Sequence, residues 1–335
     1  MKNMTLNKLK EMYGIYSPSG KEKPMRAYVQ SIMDSNGIKY REYAGSLYNL
    51  IPGTPMLSAH MDQVHALPCL EAHVQGDRIE GDGNLGADDK NGLWIALKLL
   101  SMPKFKNKVS FIFTVDEEVG AWGAKDMLNK FKKDIGQCLY GIVLDRKGGR
   151  DIIGTKNNYC TADFEKAVRK VGLSFGYHAV SGVFSDADVW SDTLSCVNVS
   201  VGYENAHTES EYTSIPALYN AFHFVNAVLS SVTDNFKPPK KRPVPKKAVV
   251  KKTAPKTKTF KNLKKTVGKK SINDVAWEKY TNDDIINLFP MPCPVCTEDS
   301  DLISGYNGHD LECLVCGTVY DESTGDVITY PTNWE

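Results

Sequence analysis

The feature that most limits what this chain can fold into is a repeated juxtaposition: short apolar runs that end in metal-ligating side chains. Pro55–Ala59 runs into His60-Met-Asp62, Val109–Val115 into Asp116-Glu117-Glu118, and Gly141–Leu144 into Asp145. Cys196–Val201 is followed by His207. Between the first two lies Gly86-Ala-Asp88-Asp89-Lys-Asn-Gly92, a glycine-bounded turn that opens a helix. Apolar runs of this length, bounded by turn residues, read as buried strands. A parallel sheet brings the ends of its strands to one edge, which is where ligands bind. Each pattern alone has an ordinary explanation: a surface His-x-Asp pair, a solvated Glu-Glu, an Asp capping the next helix. Five of them in the same relative position point to a metal site.

The rest of residues 1 to 235 fits that reading. Helix-like periodicity at Lys21–Ser35, Asp89–Ser101, Ala124–Phe131, Ala162–Lys170 and Ile215–Val232 alternates with the strand runs, to which Tyr48–Ile51 is added. Such alternation predicts an α/β domain: a doubly wound, mostly parallel sheet with helices on both faces. At 41% hydrophobic residues the chain can bury a sizeable core. It carries no apolar run of the roughly 18–20 residues that a membrane span needs. The start, MKNMTLNKLKEMYG, lacks the apolar stretch of a secretory signal, so a cytoplasmic protein is expected.

The net charge of +1 conceals a split. Residues 237–270 hold 15 Lys or Arg and no acid, leaving 26 basic and 40 acidic residues elsewhere, a balance of −14. The stretch 236–272, rich in proline and lysine, cannot bury enough apolar area to fold alone. It reads as an extended linker, with binding of nucleic acid or another polyanion as the second reading.

Beyond it, residues 273–335 carry Cys293-Pro-Val-Cys296 and Cys313-Leu-Val-Cys316-Gly317. That spacing resembles a zinc ribbon, in which four thiolates close a tetrahedral structural site. A module this small needs such a staple. Beside a basic run a nucleic-acid partner is one expectation; the module's own acidity favours a protein partner. The other cysteines, Cys69, Cys138, Cys160 and Cys196, are scattered and read as small buried hydrophobes.

Taken together, His60-x-Asp62, Gly86-Ala-Asp88-Asp89-Lys90-x-Gly92, Asp116-Glu117-Glu118-x-Gly120, Leu144-Asp145 and Ala206-His207-Thr208 resemble the co-catalytic di-zinc exopeptidases. These include peptidase T, the glutamyl aminopeptidases and the single-domain zinc aminopeptidases. Glu80-Gly-Asp-Gly-Asn-Leu-Gly-Ala-Asp-Asp-Lys is especially like peptidase T. The resemblance covers roughly residues 1–235. It implies that His60 and Asp145 bind one metal, Glu118 and His207 the other, and that Asp88 bridges them. Glu117 would be the general base and acid, Asp62 would hold the far nitrogen of His60, and the Asp88–Asp89 peptide would be cis.

Imidazole and carboxylate ligands suit zinc, and also cobalt or manganese. Two such cations about 3.5–4 Å apart can hold a water and lower its pKa toward neutrality. Many relatives carry an inserted domain after the third carboxylate or after His-x-Asp. Here Asp145 to His207 spans 62 positions and His60 to Asp88 spans 28, so neither insert is present. The expected activity is therefore that of an aminopeptidase on short peptides, with an N-acyl amino acid amidohydrolase as the alternative. A peptidase-fold binding protein, delivered by its ribbon and basic arm, is a third reading. Ser185-Asp186-Ala-Asp188 resembles a pocket segment of the aminopeptidases, which makes Asp186 and Asp188 candidate substrate contacts. Capping use of both acids is the competing reading. Tyr203 and Asn205 are further candidates for substrate or oxyanion contact. His65, His73, His178, His223 and His309 are assigned to no site.

Overall fold

The computed structural model describes residues 4–240 and the backbone of four short strands near the C-terminus. In chain order come α1 (Leu6–Tyr13), α2 (Lys23–Asn36), β1 (Arg41–Tyr43), β2 (Ser46–Asn49), β3 (Met56–His60), β4 (Ala72–Gln75) and β5 (Arg78–Gly81). Next are α3 (Ala87–Ser101), β6 (Ser110–Thr114), α4 (Trp122–Ile135), β7 (Gly141–Arg146), β8 (Asp151–Ile153), α5 (Ala162–Gly172) and β9 (His178–Val180). Last are α6 (Asp186–Trp190), β10 (Cys196–Ser200), β11 (Tyr203–Glu204), β12 (Tyr212–Ser214) and α7 (Ile215–Ser231).

Eight strands form one sheet in the order β1-β2-β6-β3-β7-β10-β8-β9. The central run β6-β3-β7-β10 is parallel; the pairs β1–β2, β2–β6 and β10–β8 are antiparallel, and β8–β9 is parallel. Parallel strands buried on both faces read as unbroken apolar runs, and every residue of β3, β6 and β10 is buried. Their side chains still alternate in destination. Leu57, Ala59, Phe111, Phe113, Ile142, Leu144, Val197 and Val199 join one apolar cluster. Met56, Ile112, Val143 and Cys196 join the other. Residues of α1, α2, α3, α5 and α7 cover the first face, and those of α4 and α6 the second. The fold is thus a mixed α/β layer structure around a large, mostly parallel sheet.

The order of the sheet creates the site. From β3 the chain crosses through α3 to β6 on one side; from β6 it crosses through α4 to β7 on the other side of β3. Because the two crossovers lie on opposite faces, their connections part at the carboxyl end of β3, and a crevice opens there. A second sheet, β11-β12-β5-β4, is antiparallel throughout. It carries the 205–211 connection, with His207, toward the same edge.

Phe236, at the start of the lysine-rich stretch, donates its backbone N–H to Leu139 (3.0 Å) and packs its ring against Phe164. The Lys237 carbonyl accepts from Ser195 Oγ at 2.8 Å. Residues 241–301 lie outside the described residues, so most of the proposed linker, with Cys293 and Cys296, is not described. The four C-terminal strands, β13 (Leu302–Ser304), β14 (Asp310–Cys313), β15 (Val319–Asp321) and β16 (Val327–Thr329), pair antiparallel in sequence order. Cys313 ends β14, and Cys316 again lies outside the described residues. No helix among the described residues is long and apolar enough to cross a membrane.

Candidate metal centre

His60 is the last residue of β3 and is 2% exposed. Its Nε2 lies 3.2 Å from Asp88 Oδ1 and 3.8 Å from Asp145 Oδ1. The other ring nitrogen, Nδ1, is 3.0 Å from the Asp62 carbonyl and 3.4 Å from Asp62 Oδ1. That contact fixes the tautomer and leaves Nε2 facing the carboxylates.

Asp88 stands at the entry to α3, whose N-cap, Gly86, adopts a left-handed conformation (φ 62°). The peptide between Asp88 and Asp89 is cis. Asp89 is wholly buried and does local work: its carboxylate accepts from the backbone N–H of His60 (3.1 Å) and of Gly92 (3.2 Å). Gly92 is required by close approach. A Cβ there would lie 2.1 Å from the Leu144 carbonyl oxygen, beside Asp145.

Two further candidate ligands lie beside them. His207 Nε2 is 3.2 Å from Asp88 Oδ2 and 3.0 Å from Glu118 Oε2. Asp88 therefore offers one oxygen to each histidine. Donor atoms of His60, Asp88 and Glu118 lie within 4.8 Å of one another. Behind them, Asp62 accepts from the backbone N–H of Glu117 (3.0 Å) and Glu118 (3.1 Å), and from Ser19 Oγ (2.8 Å). The Glu117 carboxylate has no hydrogen-bond partner among the described residues.

The remaining sequence candidates divide. The Tyr203 hydroxyl, buried, donates to Asp145 Oδ1 at 3.2 Å and so belongs to the centre. Asp186 is buried; its Oδ2 accepts from Thr114 Oγ1 (2.6 Å), and its Oδ1 has no hydrogen-bond partner among the described residues. Asp188 serves the capping box of α6 with Ser185 and also accepts from the Tyr159 hydroxyl. Asn205 is exposed, and its side chain bonds to the Ser210 carbonyl within the turn that carries His207.

Electrostatics follow from crowding. Burial disfavours a charged His60, but its bonds to Asp145, Asp62 and Asp88 outweigh that and hold its pKa well above the usual value. Bonds to Asp88 and Glu118 push His207 up to about 10. Burial raises Asp145 and Glu118, with Asp88 adding to both. Asp88 is also buried, yet its contacts with His207 and His60 depress it. Burial, then the charge on Asp145, pushes Glu117 up to about 10. Three carboxylates this close cannot all ionise without cations among them. Glu118 Oε1 is buried without a hydrogen-bond partner among the described residues. The donor set of two imidazoles and three carboxylates, with an orphaned buried oxygen, fits divalent cations such as zinc.

Sequence reasoning missed several supporting residues. Asn198 on β10 accepts from the Asp145 N–H (3.1 Å) and donates to its carbonyl (2.7 Å). Glu22, buried, accepts from the Asp116 N–H at 3.2 Å. Glu211 accepts from the N–H groups of Ala87 (3.1 Å) and Asp88 (3.2 Å). A polar residue inside an apolar strand run was a signal available for Asn198; nothing distinguished Glu211 from Glu209.

The family model of peptidase family M20/M25/M40 matches residues 56–231. A putative [LysW]-lysine/[LysW]-ornithine hydrolase of Pyrococcus abyssi is 28% identical over 193 residues, covering 53% of each chain. A peptidase M20 domain-containing protein of Schizosaccharomyces pombe is 26% identical over 168 residues, covering 45% of this chain and 40% of that one. The chain thus spans about half the length of the curated relatives it matches. Among solved structures, aminopeptidase PepT from Bacillus cereus superposes with a TM-score of 0.57 at 18% identity, over 67% of this chain and 96% of that one. The TET1 peptidase of Pyrococcus horikoshii gives 0.55 at 17%, over 68% and 99%. At these identities the likeness is one of fold.

Proposed function

The chain belongs to peptidase family M20/M25/M40, and from that premise we propose that it is a two-metal aminopeptidase acting on short peptides. One observation carries the proposal: Asp88 presents its two oxygens to two histidines, His60 and His207, while a second carboxylate, Glu117, stands beside them without a hydrogen-bond partner among the described residues. His60, Asp145 and Asp88 would hold one cation, and His207, Glu118 and Asp88 the other. When bound, two zinc ions, or cobalt or manganese, polarise the scissile carbonyl and make water a nucleophile near neutral pH.

The chain's own residues do the rest. Cations held among the carboxylates would bring the raised pKa of Glu117 down, and its carboxylate then takes the proton of the attacking water and delivers it to the leaving amine. Asp62 holds the backbone of Glu117 and Glu118 and the ring of His60, so that proton carrier and ligands keep their spacing. The Tyr203 hydroxyl steadies Asp145. Asp186 lies under the floor of the site through Thr114, whose strand position pairs with His60. The same proposal includes a structural zinc on Cys293, Cys296, Cys313 and Cys316, giving about three metals per chain. It also includes a basic arm that contacts a protein or nucleic acid, and a cytoplasmic location.

A second reading is hydrolysis of the amide of an N-acyl amino acid. It is favoured by the description of the Pyrococcus abyssi relative, which refers to lysine and ornithine. One digest separates the two. Metal-replete, full-length protein is offered a library of short peptides with free and with acylated N-termini, including lysine and ornithine conjugates, and the products are read by mass spectrometry. Release of single N-terminal residues from the free set supports the aminopeptidase; cleavage confined to the acylated set supports the second reading. No cleavage of either set overturns both.

A further inference from the structure

The entry to α3 has an unusual cap. Asp88 and Asp89 have non-helical backbone angles, so the Ala87 and Asp88 N–H groups lie ahead of the regular helix, and Gly86 before them has no side chain to accept from them. The missing acceptor comes from more than 120 positions away. Glu211 Oε2 accepts from the Ala87 N–H and Oε1 from the Asp88 N–H. Glu211 is 2% exposed and ends the 205–211 connection, which carries His207. The same carboxylate accepts from Asn84 Nδ2 at 2.9 Å, and Asn84 Nδ2 also donates to the carbonyl of Thr208 at 3.1 Å.

The tie continues inward. Asn84 Oδ1 accepts from Gln63 Nε2 (3.0 Å), and Gln63 Oε1 accepts from Lys90 Nζ (2.7 Å). Lys90 can only donate, and the acceptor facing the backbone N–H groups must be an oxygen. The orientation of both amides is therefore dictated from the two ends. The chain of bonds joins the residue after Asp62, the Asp88 turn and the His207 turn, three segments that meet nowhere else in sequence.

We propose that Glu211 is a positioning residue that sets Asp88 against His207, and so determines the affinity of the cation held by Asp88, Glu118 and His207. The inference rests on the two-metal reading. A merely structural Glu211 would affect the whole fold; a positioning Glu211 affects one of two cations.

The test uses full-length, metal-free protein titrated with cobalt(II), with calorimetry for affinity and visible absorbance for ligand geometry. Wild-type protein takes up two equivalents at this centre. Glu211→Gln keeps the shape but has one acceptor oxygen for three donors. It is expected to weaken the second equivalent at least tenfold and change its absorbance, while the first equivalent and the melting temperature of the metal-free chain stay near wild type. Two equivalents bound by the variant at wild-type affinity overturn the proposal, as does an equal weakening of both. If Glu211→Gln does not fold, Asn84→Ala, which removes one donor to Glu211 and the tie to Thr208, is expected to weaken the same equivalent; unchanged binding then overturns it. A wild-type chain that takes up fewer than two equivalents at this centre, counted apart from the thiolate-bound ion that its own absorbance reports, overturns the two-metal reading itself.

Discussion

The carboxylate of Asp62 accepts a 3.0 Å hydrogen bond from the backbone N–H of Glu117 while its other contacts reach Glu118, Ser19 and the ring of His60. One buried side chain thus spans the ends of β3 and β6. Its pKa is lowered because, although burial opposes ionisation, the bonds to His60 and to these donors outweigh it. Asp62→Asn places an N–H₂ where N–H groups now donate, so at least one bond becomes a clash of donors. Metal affinity or turnover is expected to fall about 10–100-fold, the range for partners of ligating histidines. Equal kcat/KM and metal content in the two proteins would remove Asp62 from this role.

Glu117→Gln tests proton transfer separately. The amide is isosteric and not a predicted metal ligand, so metal content should match wild type. Turnover should fall about 10²–10⁴-fold. Loss of metal along with activity would instead make Glu117 a ligand.

Gly92→Ala tests the packing that brings α3 across β7. The added methyl would sit 2.1 Å from the Leu144 carbonyl and 2.4 Å from Asp89 Oδ1, and neither can retreat far in a buried strand–helix contact. A loss of about 3 kcal/mol or more is expected, at the upper end for overpacking. Thermal melts of metal-free protein give the answer, and a melting temperature within a degree of wild type would contradict the close approach.

His223, on α7 and away from the metal centre, supplies a pH signature. Burial, reinforced by the charge of Lys98, pushes it down to about 4, and its Nδ1 is buried without a hydrogen-bond partner among the described residues. The unfolded chain protonates this residue near its ordinary value of about 6.5, before the native state does. Stability is therefore full above about 6.5, falls as pH drops toward 4, and levels below that. His223→Leu should lose less stability over this interval, so its melting temperature should gain on wild type as pH falls from 7 to 4.5. A gap between the two that does not change with pH would rule out the burial effect.

Much of the centre was legible because ligands must sit where strands end. The runs predicted at Pro55–Ala59, Val109–Val115 and Gly141–Leu144 correspond to β3, β6 and β7 within two residues at each end, and the ligand-type residues follow each of them. Buried parallel strands leave a plain apolar record. The record was poorer where elements are short or half exposed. Helix α1 has only eight residues, about two turns, which periodicity alone rarely establishes. Strands β4 and β5 are largely half covered or exposed and belong to the small sheet that delivers His207, yet no continuous apolar run marks them. Pocket assignments were hardest for the same reason that Asp188 proved to be a cap. An acid three residues after a serine has the same sequence signature whether it faces a substrate or a helix end.

The two histidines differ in what must break to move them. His60 belongs to a central strand covered on both faces, whereas His207 is half exposed, on a turn held by Thr208 to Asn205 and by Asn205 to Ser210. Amide hydrogens of β3 should exchange with solvent only when the whole domain opens, and those around His207 through local openings of far lower free energy. The centre would then come apart from one side, His207 first, with the His60 side intact until the sheet itself gives way.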